Sequence, residues 1–284
     1  MSALTLVIAI GLQLACGLVV PATATVDRCL LAAKACSLAF VPPKAQPYEP
    51  YAAGLTCVAQ VEDPESLAGA TILTRDSDGL VIVACRGSAS VRNFRTNLDI
   101  GPVALEASPG AKVHNGFQNA GRELWKLVRP QLPKSSAPVL VTGHSLGGGT
   151  ATMLSLALHA AGREAELITV AGPRLGDGAF AKFYRETCSL PATHLIHDTD
   201  DVLSSNTQLW DRLNFEHVGT VVRCGKDVPC LYETADAATP ELCASDADAP
   251  PKTPSLKGVF VDHCSYLGLY IGVRLEHPWG YLRF

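Results

Sequence analysis

Charge is scarce in this chain and is never concentrated. Charged residues make up 18 % of the 284, Lys plus Arg number 23 against 27 Asp plus Glu, and no basic run occurs. A protein that holds nucleic acid neutralises phosphates from a clustered basic face, so no nucleic-acid partner is expected. Little charge beside 48 % hydrophobic residues also excludes a disordered chain or a coiled coil. There is no Cys-x-x-Cys pair and no His-rich tract, the patterns from which metal sites are commonly built, so no metal site is expected. The chain also lacks an Asn-x-Ser/Thr sequon and any internal repeat. What is left is an ordinary globular chain, for which one α/β domain of this length is routine.

Residues Ala3 to Val20 are almost wholly apolar and lead into Pro21-Ala22-Thr23-Ala24, an A-x-A-like cleavage pattern followed by the polar Thr25-Val26-Asp27-Arg28. Residues 1–24 therefore read as the signal peptide of a secreted protein, with 25–284 as a single domain. The alternative is a retained membrane anchor, because about 18 apolar residues approach a bilayer span. Removing 1–24 takes away Cys16 and leaves nine of the ten cysteines, a density that suits an exported protein stapled by disulfides. Nine is odd, and the expected free thiols are Cys85, inside the apolar run Leu80 to Cys85, and Cys264. Cys29 and Cys36 stand seven residues apart, about 10.5 Å along a helix, whereas bridged Cα atoms lie within about 7 Å. They should not pair with each other if that segment is helical.

The spacing predicts a helix from Cys29 to Val41, ended by Pro42-Pro43, then strands Ala70 to Thr74 and Leu80 to Cys85 joined by the turn Asp76 to Gly79. A helix over Asn115 to Leu132, a strand over Val139 to Thr142 and a buried helix through Thr152 to Leu158 follow. Strand Leu167 to Ala171, helix Gly178 to Cys188, and strands Thr193 to His197 and His217 to Arg223 complete the alternation. Such alternation implies a largely parallel sheet with helices on both faces. Cys224 to Lys257, rich in Ala, Asp and Pro, reads as a long surface loop clipped by cysteines.

Gly143-His144-Ser145-Leu146-Gly147 is a Gly-x-Ser-x-Gly run set between a predicted strand and a predicted helix. A serine in so tight a turn presents its hydroxyl above the sheet, and the glycines remove side chains where strand and helix crowd together. The helix N-terminus favours negative charge, and the Leu146 amide is placed to donate to an oxyanion. Glycine-rich turns before helices also bind phosphates, but no Lys follows as that use requires. A serine hydroxyl is a weak nucleophile and needs a histidine base oriented by a carboxylate, in the chain order Ser, acid, His. Six histidines follow Ser145, and setting aside His159, His194 and His197 by their place in a buried helix and in a strand before the acid leaves His217, His263 and His277.

At this point the chain closely resembles the class 3 lipases, the group of filamentous-fungal triacylglycerol lipases and feruloyl esterases. The resemblance runs from about Ala70 to Gly272 and rests on four further motifs in order. Arg86-Gly87-Ser88-Ala89-Ser90-Val91-Arg92-Asn93-Phe94 is similar to the family's oxyanion and lid segment, and Lys112-Val113-His114-Asn115-Gly116-Phe117 to its Val-His-x-Gly-Phe element. Ala171-Gly172-Pro173-Arg174-Leu175-Gly176-Asp177 resembles its Gly-x-Pro-Arg-x-Gly strand end, and Asp262-His263-Cys264-Ser265-Tyr266 its catalytic-histidine site. The resemblance implies an α/β-hydrolase fold with Ser145 as nucleophile, His263 as general base and Asp200 as acid, the neighbouring Asp201 being the alternative. Ser88 is implied as the second oxyanion donor.

Val91, Phe94 and Leu98 fall at i, i+3 and i+7 among polar residues, a short amphipathic helix that reads as a lid over an apolar acyl site. The family often closes a small loop where Cys224 and Cys230 flank Gly225-Lys226-Asp227-Val228-Pro229, so that bridge is expected; its usual bridge beyond the catalytic histidine is not, since no cysteine follows Cys264. The expected activity is carboxylic ester hydrolysis through an acyl-enzyme with no cofactor, on acylglycerols at a lipid–water interface. Phospholipase A1 or feruloyl-type esterase activity is the alternative, and a catalytically inert lipid-binding homologue is the rival from another class.

Overall fold

The structure is a computed structural model that describes residues 25–44, 46, 50–87, 101–135, 137–197, 199–226, 230–232, 242–243, 261–267 and 269–271. Residues 1–24, expected as a leader, Ser88, the expected amphipathic stretch Val91 to Leu98, most of 224–257 and His277 lie outside the described residues. In chain order the elements are α1 (Val26–Leu38), β1 (Leu55–Glu62), β2 (Gly69–Arg75), β3 (Val81–Arg86), β4 (Pro102–Leu105), β5 (Ser108–His114), α2 (Asn115–Val128), β6 (Val139–His144), α3 (Leu146–Ala160) and β7 (Ala165–Val170). Then follow β8 (Gly176–Asp177), α4 (Gly178–Lys182), β9 (Ala192–Ile196), α5 (Asp201–Arg212), β10 (Phe215–Glu216), β11 (Thr220–Cys224), β12 (Cys230–Tyr232), β13 (Leu242–Cys243), α6 (Val261–Cys264), β14 (Ser265–Tyr266) and β15 (Leu269–Tyr270).

The main sheet runs β1-β2-β3-β6-β7-β9-β11-β12-β13. Its centre, β3 through β11, is parallel, as the alternation of strands and helices implied. Both flanks are antiparallel. The apolar run of β3 is explained by period-two alternation between two cores. Ile82 and Ala84 join Leu140, Ile168 and Leu195 under α1, while Val81, Val83 and Cys85 join Val139, Val141 and Leu154 on the face of α2 and α3. A strand buried on both faces has no polar register to show.

Helix α1 is capped by Thr25, whose hydroxyl accepts from the Arg28 amide at 3.2 Å. Its inward face is built from the small residues Cys29, Ala32, Ala33, Ala35 and Cys36, all fully buried, so it lies close upon β3, β6 and β7. Helix α3 is longer than its apolar core suggested and begins directly after Ser145. Three glycines in its first turn weaken a free helix by up to about 1 kcal/mol each, yet a Cβ at Gly149 would stand 2.5 Å from the Phe117 ring. Packing overrides propensity here.

Several elements were not legible beforehand. β1 is an edge strand with a weak alternation, β4, β5, β8 and β10 form a separate four-stranded sheet of short pieces, and α5 follows the aspartates. The segment from Cys224 to Lys257 does not wholly leave the fold, since β12 and β13 extend the main sheet. The helix over Gly178 to Cys188 is split into α4 and a π-wound turn, Phe183–Thr187.

Among the described residues Cys29, Cys36, Cys57, Cys85, Cys188, Cys224 and Cys264 are free thiols. That agrees with the expectations for Cys29, Cys36, Cys85 and Cys264 and overturns the Cys224 to Cys230 bridge. Cys224 stands opposite Leu231 in the ladder and Cys230 opposite Cys243, so the register does not set Cys224 across from Cys230. The Cys224 thiol donates instead to the Ile196 carbonyl at 3.4 Å. Burial pushes the Cys29 and Cys36 thiols up to about 12, which withholds the thiolate that reacts. Iodoacetamide is therefore expected to modify Cys29, Cys36 and Cys224 slowly in the native protein and fully in denaturant without reductant. Recovery of any of the three in a disulfide-linked peptide would contradict the structure.

Candidate active site

Ser145 sits between the end of β6 and the start of α3 with φ 55° and ψ −127°, a left-handed conformation that costs a non-glycine residue about 1–3 kcal/mol. The turn is held on both sides. The Ser145 N–H donates to the Val170 carbonyl at 3.0 Å, and the Gly148 N–H donates to the Ser145 carbonyl at 2.9 Å. The flanking glycines are sterically required. A Cβ on Gly143 would stand 2.1 Å from the Gly147 carbonyl oxygen, and one on Gly147 would stand 2.2 Å from the Cys85 carbonyl oxygen. Leu146 opens the helix, so its N–H has no intrahelical acceptor. Ser88 lies outside the described residues, but Gly87 before it already abuts the elbow: a Cβ there would meet the His144 carbonyl oxygen at 2.7 Å and the Ser145 Cβ at 3.6 Å.

Asp200 and His263, 63 residues apart, meet in the interior. Asp200 caps α5, its Oδ1 accepting from the amides of Val202 and Leu203 at 3.0 Å each, a use for which Asp is favoured at this position. The same carboxylate lies 2.9 and 3.0 Å from His263 Nδ1 and accepts from the Tyr266 hydroxyl at 2.7 Å. Burial pushes the Asp200 carboxyl upward, but the hydrogen bond from His263, that ring's charge, the Tyr266 hydroxyl and the Leu203 amide outweigh it and hold the group below the ordinary carboxylate value. An ionised carboxylate only accepts, so His263 carries its proton on Nδ1. Its Nε2, buried and without a partner among the described residues, then presents a lone pair.

The other described histidines after Ser145 have settings of their own. His159 is exposed at the last turn of α3, His194 bonds the Thr169 hydroxyl at 2.7 Å, and the ring of His217 lies on that of His194, 4.5 Å between centroids. Burial, with the charge of His263, lowers His144 to about 3, and burial lowers His197 as well. Three neighbours of the site are not identified by the sequence alone: Tyr266, three residues beyond His263, and the two imidazoles of His144 and His197, which bond backbone carbonyls beside the site. Proximity in sequence to Ser145, Asp200 and His263 was their only signal.

A parallel sheet with helices on both faces and a strained serine elbow at the head of a helix is the α/β-hydrolase fold, shared with solved triacylglycerol lipases. One, described as having a serine-protease triad as its catalytic centre, superposes with a TM-score of 0.64 at 25 % identity over 87 % of this chain and 94 % of that one. Residues 82–208 match the family described as lipase (class 3). A lipase of Rhizomucor miehei is 32 % identical over 216 residues, covering 72 % of this chain and 56 % of that protein. A secreted mono- and diacylglycerol lipase of Fusarium solani is 34 % identical over 131 residues, covering 44 % of this chain and 39 % of that protein. The chain thus spans about half the length of these curated relatives or less. The matched segment, residues 82–208, is that of the class 3 lipase family.

The geometry brings Asp200 to His263. Asp200→Asn, which leaves the shape of the site but offers His263 an amide, is expected to lower turnover about 10⁴-fold, whereas Asp201→Asn should cost far less. The reverse ranking in two folded variants would contradict the assignment. Tyr266→Phe removes one of the bonds that lower Asp200. A depressed carboxyl contributes stability above its unfolded value and loses it as pH falls through the folded value. Raising that folded value moves the loss upward, so acid unfolding followed by tryptophan fluorescence should set in at higher pH in Tyr266→Phe than in the wild type.

Proposed function

We propose that the chain is a secreted serine hydrolase of carboxylic esters, with acylglycerols as its substrates and residues 25–284 as one catalytic unit behind a leader at 1–24. The observation that carries this reading is the buried Nε2 of His263, without a partner among the described residues and with its other nitrogen committed to Asp200, in a chain that also holds Ser145 on a strained elbow. That set has one evident chemical use. Nε2 takes the Ser145 hydroxyl proton as Oγ bonds to the ester carbonyl carbon, and the resulting imidazolium gives the proton to the departing alcohol, leaving an acyl-serine. Water then repeats the exchange, giving its proton to Nε2 and its oxygen to the acyl carbon. The fatty acid leaves and Ser145 regains its proton. No cofactor takes part.

Negative charge on the carbonyl oxygen would be met by the amides of Leu146 and Ser88. Two donors about 3 Å from that oxygen are what this type of reaction needs. The names of the relatives favour a lipid ester. Secretion is supported by the Fusarium relative's description and by the A-x-A-like leader. The test is hydrolysis of an ester series from acetyl to oleoyl, below and above each solubility limit, with phospholipid and feruloyl esters alongside. Ser145→Ala should lower turnover on the order of 10⁶-fold while substrate binding survives, and a fluorophosphonate should label Ser145. Inert esters throughout, with lipid still bound, would replace this reading by that of a binding protein.

A further inference from the structure

His263 is carried by a surprisingly slight element. α6 is a single turn of four residues, and the last four carbonyls of any helix lack intrahelical donors, so all of its carbonyls need partners from outside. Helices this short are not stable by themselves. Three of the four carbonyls are engaged by named groups. The His197 ring bonds the Asp262 carbonyl through Nε2 at 2.8 Å. The His144 ring bonds the His263 carbonyl through Nε2 at 2.7 Å. The Ile271 N–H donates to the Cys264 carbonyl at 2.7 Å.

A carbonyl can only accept, so both imidazoles must carry hydrogen on Nε2. His197 is held in that tautomer by the Thr199 hydroxyl, which donates to its Nδ1 at 3.2 Å. The two rings also pack on the site itself: His144 lies 4.8 Å from the ring of His263, and His197 lies 4.3 Å from that of Tyr266. Their places in the chain give the arrangement its meaning. His144 immediately precedes Ser145, and His197 precedes Asp200 by three residues. Each of the two segments that bring a member of the proposed triad therefore also sends an imidazole to the backbone of the third.

The geometry points to His144 and His197 as positioning residues, a pair of Nε2–H donors that fix the backbone of His263 relative to Ser145 and to Asp200 respectively. This inference rests on the hydrolase reading above. Neither ring has to exchange a proton. Both are held neutral by burial, which keeps a second cation away from the imidazolium that His263 becomes in each half-reaction. Their effect is on distance: a displacement of about 1 Å at the reacting groups lowers turnover by as much as about 10²-fold, and the loss falls on kcat because the substrate is not touched.

Two measurements on the full chain test this. In the wild-type protein, nitrogen-15 imidazole shifts between pH 6 and 8 should show His144 and His197 as Nε2–H tautomers and His263 as Nδ1–H; an Nδ1–H tautomer at His144 or His197 removes the donor and overturns the proposal. With p-nitrophenyl butyrate as a soluble probe, His144→Met and His197→Met, similar in length but without a donor, should lower kcat roughly 10- to 100-fold with KM within about twofold. His197→Gln and His144→Gln, which restore an N–H, should recover kcat to within about threefold of the wild type. Equal loss in the Gln and Met variants, loss confined to KM, or Met variants as fast as the wild type each overturn it. Should a Met variant fail to fold, the Gln variants and the tautomers still decide. A wild type that hydrolyses no ester and takes no fluorophosphonate overturns the hydrolase reading instead, and the tautomers then judge the clamp alone.

Discussion

The carboxylate of Asp200, a residue with 1 % of its surface exposed, needs partners for both of its oxygens, and it finds them on two separate pieces of chain. The first amides of α5 saturate one oxygen, Tyr266 the other, and His263 lies across both. Leaving such a charge unpaired in the interior would cost several kcal/mol. The end of β9, the start of α5 and the α6–β14 segment are therefore drawn to one point. The orientation of His263, the tautomer it carries and the placement of its free nitrogen all follow from that convergence.

The elbow depends on a different constraint, the closeness of α3 to the sheet. Cβ atoms at Gly143 and Gly147 would fall within about 2 Å of backbone, so the helix can start directly over β3 and β6 only because those side chains are absent. The strain at Ser145, about 1–3 kcal/mol, is sustained by hydrogen bonds from the turn to β7 and within its own first turn. The rigidity suits the proposed role, since a nucleophile that must meet a base borne by another part of the chain gains nothing from freedom of its own.

In the core beneath α1 the cysteines serve packing. Density alone suggested staples, yet Cys29 and Cys36 lie among alanines on the inward face of α1, and Cys36 exchanges a weak hydrogen bond with Thr142 at 3.2 Å. They serve as small apolar side chains that let a helix approach a sheet. Composition reports how many thiols there are, whereas pairing depends on which faces the register brings opposite each other.

What the sequence determined by itself was whatever contiguous residues encode. The parallel alternation, the two-faced strand β3 and the identity of Ser145 are local, because a glycine-flanked serine between a strand and a helix folds into its elbow under the sterics of its own neighbours. The residues alone left three histidines in play, and even the family resemblance left Asp201 beside Asp200. Tertiary structure sets the described ones apart: packing places His217 against His194, and Asp200, at the cap of α5, meets His263. The roles of Tyr266, His144 and His197, the free state of Cys224 and the extension of the sheet by β12 and β13 were likewise decided only by folding. The physical reason is the same in each case. A hydrogen bond between groups 63 or 119 residues apart exists only when sheet order and register have placed both ends, and no short stretch of sequence records that placement.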